Sequence, residues 1–124
     1  MEIKHKIWLE KNGKVVFGPG RDILFKAIDE CSSLNAAAKK LGMSYQAAWG
    51  RVKASEERLG MKLVATEPGR TGMQLTEEAR IMISRFDHLD GEISSLMNAA
   101  NRDLFQTHSL HLRKNRKVPP RGKP

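Results

Sequence analysis

The sequence predicts a mainly α-helical chain with small β elements, and two observations carry that expectation. Two helical patterns are joined by a three-residue turn that contains glycine. Farther along, apolar residues recur at alternating steps of three and four over about three heptads, which indicates one long helix. At 124 residues, the chain is long enough for one small domain around a single core.

The positive charge of the chain is concentrated near its C-terminal end. The formal net charge is +8, and residues 108–124 hold six lysine and arginine residues and no acidic residue. Because this segment has two adjacent prolines and no apolar period, we expect residues 106–124 to form a disordered basic tail. The tail is either solvated or in nonspecific contact with phosphate, and charge alone does not decide between the two.

Cysteine content and hydropathy indicate a cytoplasmic protein with no membrane partner. The single cysteine, Cys31, excludes an internal disulfide, and its place at the end of an apolar helical face indicates a buried thiol. The chain has no run of about 18 apolar residues, which a membrane-spanning helix needs. Its charged N-terminus does not resemble a signal peptide.

Residues 3–18 are expected to form a β-hairpin. Asn12-Gly13 stands between two apolar runs, and this dipeptide favours the type I′ turn that joins paired strands. A two-residue loop would fix three cross-strand pairs, namely Lys11 with Lys14, Leu9 with Val16, and Trp8 with Phe17. A helix with a broad apolar stripe is expected next, over residues 21–31. The stripe consists of Ile23, Leu24, Ala27, Ile28 and Cys31.

Residues 33–59 carry the local signals of a helix-turn-helix. Ser32 or Ser33 can cap a helix over residues 34–41, and Gly42 can end it. Ser44 can cap a longer helix that ends before Gly60. The inner face of this second helix is expected to consist of Ala48, Val52, Ser55 and Leu59. A plain αα-hairpin remains an alternative.

Short β-type runs after the second helix indicate a wing, which is a β-ribbon that follows a helix-turn-helix. Its strands are expected within residues 62–75, with EPGRTG as the turn. Arg70 lies at the tip between two glycines, where an arginine can enter a minor groove or contact phosphate. An exposed loop arginine without a role is the alternative. Residues 1–76 would then form one winged helix-turn-helix domain.

A long helix is expected over residues 77–105, with Thr76 as its cap. Its apolar seam consists of Ala79, Met82, Phe86, Leu89, Ile93, Leu96 and Ala100. A helix of about 40 Å is longer than a domain of this size can cover. We therefore expect the seam to pack against a second subunit, through Met82, Phe86, Leu89, Ile93 and Leu96. Packing of the seam along its own domain is the alternative.

Several stretches resemble a known family. SSLNAAAKKLGMS, RVKASEERLGMKLV and GRTGMQLTEEA are similar to the winged helix-turn-helix of LysR-type transcription regulators. FGPGRDILFKAID, GMSYQAAW and IWLEKNGKVVFG resemble, more closely, the N-terminal domain of ModE-type molybdate-responsive regulators. The resemblance covers about residues 3–100 and implies a dimeric DNA-binding regulator. Larger members of that family carry C-terminal molybdate-binding domains, whereas a basic tail follows here, so we expect a stand-alone form without a cofactor.

The second helix of a helix-turn-helix enters the major groove of double-stranded DNA, and its first exposed residues face the bases. Gln46 is the best candidate for reading a base, because its amide can pair bidentately with adenine. Arg51 and Lys53 are expected to contact phosphate. Tyr45 packs inward or reaches phosphate with its hydroxyl, and Trp49 packs against a neighbouring element or contacts DNA. The candidate DNA-binding residues are Ser44, Tyr45, Gln46, Trp49, Arg51, Lys53 and Arg70.

The sequence offers no catalytic arrangement, and we expect a binding protein rather than an enzyme. It has no glycine-rich phosphate loop, metal-ligand spacing or nucleophile-base pattern. His108 and His111 can hold a metal loosely, but two histidines in a tail are more often solvated. The predicted function is therefore sequence-specific transcription regulation by a homodimer. The alternatives are a nonspecific or architectural DNA binder, and a protein-interaction module that pairs with another regulator through its long helix.

Overall fold

A computed structural model describes residues 2–66 and 72–114, with side chains described as far as Phe105. The elements in chain order are β1 (Leu9–Lys11), β2 (Lys14–Phe17), α1 (Pro19–Cys31), α2 (Leu34–Lys40), α3 (Tyr45–Leu59), β3 (Val64–Ala65), β4 (Gln74–Leu75) and α4 (Glu77–Lys114). In this part of the chain, β1 pairs with β2 and β3 pairs with β4, both antiparallel. The predicted class, mainly α with a hairpin, a winged helix-turn-helix and a long last helix, is confirmed.

The chain divides into two compact units. Residues 6–87 form the first unit, which contains every element up to the early turns of α4, and residues 88 onward belong with the N-terminal residues to His5 in the second. The core of the first unit centres on Phe17, whose ring lies 6.0 Å from that of Phe25 and 4.9 Å from that of Phe86. All three rings are almost completely buried, and burial of one such side chain contributes about 1.5–3 kcal/mol.

The turn of the hairpin forms as predicted. Asn12 and Gly13 have φ angles of 53° and 79°, the left-handed conformation that a type I′ turn requires at both central positions. Lys11 lies opposite Lys14, as expected for a two-residue loop. The strands are short, however, since β1 begins only at Leu9 and the expected pairing from residue 3 onward does not form.

The register above the turn is different from the prediction. Leu9 lies opposite Phe17 rather than Val16, because the register shifts by one residue between Leu9 and Glu10. The predicted pairing of Trp8 with Phe17 is therefore wrong. Phe17 lies in the core, while Trp8 is half exposed and its indole Nε1 donates to Glu10 Oε2 at 2.7 Å.

Helix α1 begins two residues earlier than expected, at Pro19, because the fixed φ of proline suits the first turn of a helix. Its buried residues are Leu24, Phe25, Ala27 and Ile28. The expectation that Ile23 belongs to the apolar stripe is wrong, since this side chain is 54% exposed. Cys31 is half-buried rather than buried, because it lies at the last residue of the helix.

The helix-turn-helix forms with the predicted caps. Ser33, not Ser32, caps α2, and its Oγ accepts from the backbone N–H of Ala36 at 3.0 Å. Ser32 instead ends α1 in a left-handed conformation. Ser44 caps α3 and accepts from the N–H of Ala47 at 3.0 Å. The helices meet at small side chains that are almost fully buried, namely Ala37, Ala38 and Ala48.

Helix α4 extends to Lys114, farther than the expected end at residue 105. Thr76 caps it as predicted, since its Oγ1 accepts from the N–H of Ala79 at 3.1 Å. In the second unit, the N-terminal segment lies along the helix. The Ile3 N–H donates to Asn101 Oδ1 at 2.6 Å, and Asn101 Nδ2 donates back to the Ile3 carbonyl at 3.2 Å. No helix in the described ranges is long and apolar enough to cross a membrane.

Candidate nucleic-acid interface

The rotation of α3 about its axis is fixed by the contacts of its buried face. Ala48 and Val52 are fully buried, as the spacing predicted. Ser55 is buried as well, and its Oγ donates to the Val16 carbonyl of β2 at 2.7 Å. Because Gln46 lies two residues before Ala48, roughly 200° away around the helix, this face directs Gln46 outward. Gln46 is accordingly exposed.

The two aromatic residues of α3 differ in burial. Tyr45 is 51% exposed and does not belong to the buried core. Trp49 is partly buried and packs against the core, which is the packing that the sequence favoured. The Lys53 Nζ lies 5.2 Å from the centre of the Trp49 ring, a cation–π distance. Trp49 thus packs against the core, and its ring also interacts with the Lys53 ammonium group.

Arg51 and Lys53 lie on opposite flanks of α3. They are two positions apart in the sequence, which corresponds to a rotation of roughly 200° around the helix axis. Lys53 Nζ lies 3.5 Å from Glu56 Oε1. Arg51 extends toward the start of α1, where its Nη1 lies 4.0 Å from the position that a Cβ on Gly20 would take. The two side chains that were expected to contact phosphate are therefore directed to different sides of the helix.

Glu56 connects α3 to the wing, and sequence reasoning missed it. Its side chain is only 5% exposed. The carboxylate Oε2 accepts from the backbone N–H groups of Leu63 and Val64, at 2.8 and 3.2 Å. Nothing in the letters SEERL distinguishes Glu56 from the exposed Glu57 beside it. The only available signal was its position next to Ser55 on the inner edge of the helix.

The electrostatics of Glu56 favour its charged form. Burial alone would raise the pKa of this carboxyl. The hydrogen bonds from the backbone N–H groups of Leu63 and Val64 lower the pKa, as do the charges of Lys62 and Lys53, and their combined effect is larger than that of burial. The pKa of Glu56 therefore lies below its usual range. A charged carboxylate at this place holds the first wing strand against α3.

The base of the wing forms as predicted, with Val64 opposite Leu75 and Ala65 opposite Gln74. The Met73 N–H donates to the Ser32 carbonyl at 2.9 Å, which attaches the returning wing strand to the end of α1. Arg70, the candidate at the wing tip, lies outside the described residues.

The apolar seam of α4 is covered in its first part and exposed in its later part. Phe86 is 5% exposed and Met82 is partly buried, both packed in the core of their own unit. Leu89 and Leu96 are 45% and 67% exposed, and Ile93 between them is half-buried. The sequence showed the period of the seam but not where its own domain stops covering it.

No group of three or more histidine, cysteine, aspartate or glutamate side chains among the described residues is arranged to hold a metal ion. The histidines that the sequence suggested as a loose metal pair, His108 and His111, lie outside the residues whose side chains are described.

Parts of this sequence are similar to a known family and to known proteins. Residues 23–80 match the family described as bacterial regulatory helix-turn-helix protein, lysR family. The molybdenum-pterin-binding proteins MopB and MopA of Rhodobacter capsulatus are each 30% identical to this chain, over 99 and 92 residues. These alignments cover 77% and 72% of this chain but 36% and 35% of the relatives, so the chain spans about a third of their length.

A solved structure shows the same fold. The crystal structure of the CbnR DBD–DNA complex is 27% identical and matches with a TM-score of 0.52, over 66% of this chain and 97% of that one. The family match covers α2, α3 and the wing, which are the elements that the sequence assigned to a LysR-type regulator. The chain therefore carries a regulatory helix-turn-helix domain of the lysR family, and it is ModE-like in the part that it shares with its relatives.

Proposed function

We propose that this protein is a sequence-specific transcription regulator that binds double-stranded DNA as a homodimer, with α3 in the major groove. The observation that carries the proposal is the exposure of Gln46 in the first turn of a helix whose opposite face is held by buried contacts. A rigidly oriented helix with an exposed amide in its first turn suits recognition of a base edge. The likeness to the DNA-bound CbnR domain supports the same geometry.

Each candidate residue has a distinct role in this proposal. Gln46 reads a base, and Ser44 caps the helix that carries it. Arg51 and Lys53 contact the phosphates on either side of the groove, since they lie on opposite flanks of α3. Arg70 contacts DNA from the wing. Tyr45 and Trp49 border the reading residue, and the exposed ring of Tyr45 is the one available to DNA.

The second half of α4 forms the proposed dimer interface. Leu89, Ile93 and Leu96 repeat at heptad spacing, and the two leucines are exposed in the single chain. Such a stripe is stabilised when the same helix of a second copy covers it. Met82 and Phe86 contribute to the core instead, because they already pack within their own unit. A two-fold protein would recognise a two-fold DNA site.

The test of sequence reading is selection of DNA fragments from a random library at about 150 mM salt, where purely electrostatic binding is weakened. We expect the full chain and a chain that ends at Thr107 to select one shared two-fold motif. Gln46→Ala should lose preference at one position of each half-site while retaining affinity. Asn98→Ala, an exposed substitution on α4, serves as the control and should select the unaltered motif.

Other results would support the alternative functions. Binding without a motif, abolished when residues 108–124 are removed, would indicate a nonspecific or architectural binder. Absence of DNA binding in every variant would indicate a protein-interaction module. In either case Gln46 does not read bases, and the proposal fails. The proposal also places this protein in the cytoplasm, where bacterial DNA lies, and gives it no catalytic step.

The test of the dimer is the molar mass in solution by light scattering after gel filtration. Leu96→Asp should convert the dimer to a monomer, because a carboxylate in the seam would be buried without a partner. Ile81→Asp is the matched control, since Ile81 is an exposed apolar residue of α4 outside the seam. A wild-type monomer, or equal masses for the two variants, would overturn the proposed interface.

A further inference from the structure

We propose that a cationic cavity beside the start of α1, called here the anion pocket, binds a tetrahedral oxyanion of the phosphate class. The cavity has a volume of about 310 Å³ and lies within the unit of residues 6–87. The residues that carry the argument are Lys6, Trp8, Gly18, Gly20, Arg21 and Arg51. Lys6 and Arg51 are exposed, so the pocket is accessible from solvent.

Three positive side chains meet in the anion pocket without a compensating carboxylate. Lys6, Arg21 and Arg51 line it, and no aspartate or glutamate is among its lining residues. In the described part of the chain, neither arginine forms an ion pair. Elsewhere in this unit, Arg80 does pair bidentately with a carboxylate, that of Asp29. Charges of one sign gathered in a concave site raise the local concentration of the opposite ion.

Arg21 is the least satisfied member of this cluster. Its Nε is buried and has no hydrogen-bond partner among the described residues. Burial lowers the pKa of its guanidinium, and the nearby charges of Arg58 and Arg51 lower it further. Arg58 itself donates to the Val15 carbonyl at 2.6 Å, so its position is fixed. An anion between Arg21 and Arg51 would offset this repulsion.

The backbone at the start of α1 adds donors to the side-chain cluster. Gly18 precedes the helix and provides no side-chain cap. The N–H groups of Gly20 and Arg21 lie in the first turn, where a helix provides no internal acceptor. A Cβ on Gly18 would lie 3.0 Å from the Trp8 Cβ, so any other residue here would push the hairpin slightly away from the start of the helix. Position 20 is less crowded, since the nearest atom to a Cβ there is Arg51 Nη1 at 4.0 Å.

Two sources can supply the oxyanion. One is a backbone phosphate of DNA beside the recognition helix, since Arg51 belongs to α3; this source rests on the proposed function. The other is a free ion such as inorganic phosphate, and it does not depend on DNA binding. The chemistry of recognition is the same for both, because a phosphate diester and a phosphate ion each present non-bridging oxygens to the guanidinium.

The test uses the backbone amide signals of Gly20 and Arg21 in ¹⁵N-labelled full-length protein. Inorganic phosphate is added at constant ionic strength against chloride. We expect saturable shifts at these two amides, at least tenfold weaker binding in Arg21→Gln, and unchanged binding in Arg85→Gln. Arg85 is an exposed arginine of α4 in the same unit and is the matched control. Unsaturable shifts, or equal binding by the two variants, would overturn the pocket.

A second variant tests the anion pocket independently, in case Arg21→Gln does not fold. Gly20→Glu introduces a carboxylate into the lining of the anion pocket beside Arg51, where it should take the place of the ion. We expect a higher midpoint of thermal unfolding together with loss of the phosphate-induced shifts. If Gly20→Glu retains phosphate binding, the ion binds elsewhere and the proposal is wrong.

A duplex of random sequence then distinguishes the two sources. If the duplex displaces phosphate from the Gly20 and Arg21 amides, the pocket holds a DNA backbone phosphate. If phosphate still binds with the duplex present, the pocket serves a free oxyanion. If neither phosphate nor the duplex shifts these amides, the proposal is overturned. Base reading is tested separately by the selection experiment with Gln46→Ala, so the two proposals can fail independently.

Discussion

Removal of the Glu56 carboxylate should destabilise the protein strongly, although this residue looks like an ordinary surface glutamate in the sequence. Glu56→Ala leaves the N–H groups of Leu63 and Val64 buried without an acceptor. Each unsatisfied buried group costs about 1–3 kcal/mol, so we expect a loss of about 3 kcal/mol in the free energy of unfolding. Glu56→Gln keeps a neutral acceptor and should lose about half as much.

The pH dependence of this loss follows from the direction of the pKa shift. The folded pKa of Glu56 lies below its ordinary value of 4.5. A carboxyl with a depressed pKa contributes stability that is fully present above the unfolded pKa and disappears as the pH falls through the folded pKa. The difference between wild type and Glu56→Gln should therefore be largest near pH 7 and shrink below about pH 4.5.

Urea unfolding followed by circular dichroism at pH 7 and at pH 4 measures both effects. Glu57→Ala is the matched control, because Glu57 is the exposed neighbour on the same helix and should cost less than about 0.5 kcal/mol. A cost below 1 kcal/mol for Glu56→Ala at pH 7 would contradict the two hydrogen bonds. An equal Glu56→Gln cost at both pH values would contradict the lowered pKa.

Three further substitutions test other parts of the fold by the same unfolding assay. Phe86→Ala should cost about 3–5 kcal/mol, because it empties the aromatic centre of the core; a loss near 1 kcal/mol would mean that this turn of α4 is not packed there. Ser44→Ala should cost about 1 kcal/mol through loss of the helix cap, and a neutral result would refute the capping bond. Gly72→Ala should cost more than about 2 kcal/mol, because its Cβ would lie 2.5 Å from the Ser32 carbonyl oxygen. The φ of 99° at Gly72 adds backbone strain for alanine. Tolerance of alanine would contradict this close approach.

Local signals predicted local structure, while features that depend on distant partners were predicted less well. Caps act on backbone groups three residues away, so the sequence alone located Ser44 and reduced the other cap to Ser32 or Ser33. The hairpin turn was predictable for the same reason. The register above it was not, because the core requires Phe17 to face inward and a one-residue shift of pairing reverses the faces of a strand. Glu56 was missed because its two partners come seven and eight residues later, after a loop.

The candidate site shows the same division between local and distant causes. Helical spacing was enough to turn Gln46 outward, since Ala48 and Val52 define the inner face. The position of Arg51 beside Gly20 depends on how α1 packs against α3, which no spacing rule contains. The period of the α4 seam likewise predicted an interface without predicting that Phe86 would be used by the core.

Contacts of the second half of α3 hold the whole helix in a fixed orientation, including the first half that carries Gln46. Three contacts within about one turn of the helix hold it: Ser55 donates to the Val16 carbonyl, Arg58 donates to the Val15 carbonyl, and Glu56 accepts from the first strand of the wing. The N-terminal hairpin and the wing are thus attached to neighbouring positions of one helix. Because these contacts lie at the end of α3 farther from Gln46, they fix its rotation without occupying the surface proposed to meet DNA. Loosening any one of them should weaken sequence preference before it unfolds the domain, since preference depends on the orientation of the reading side chain.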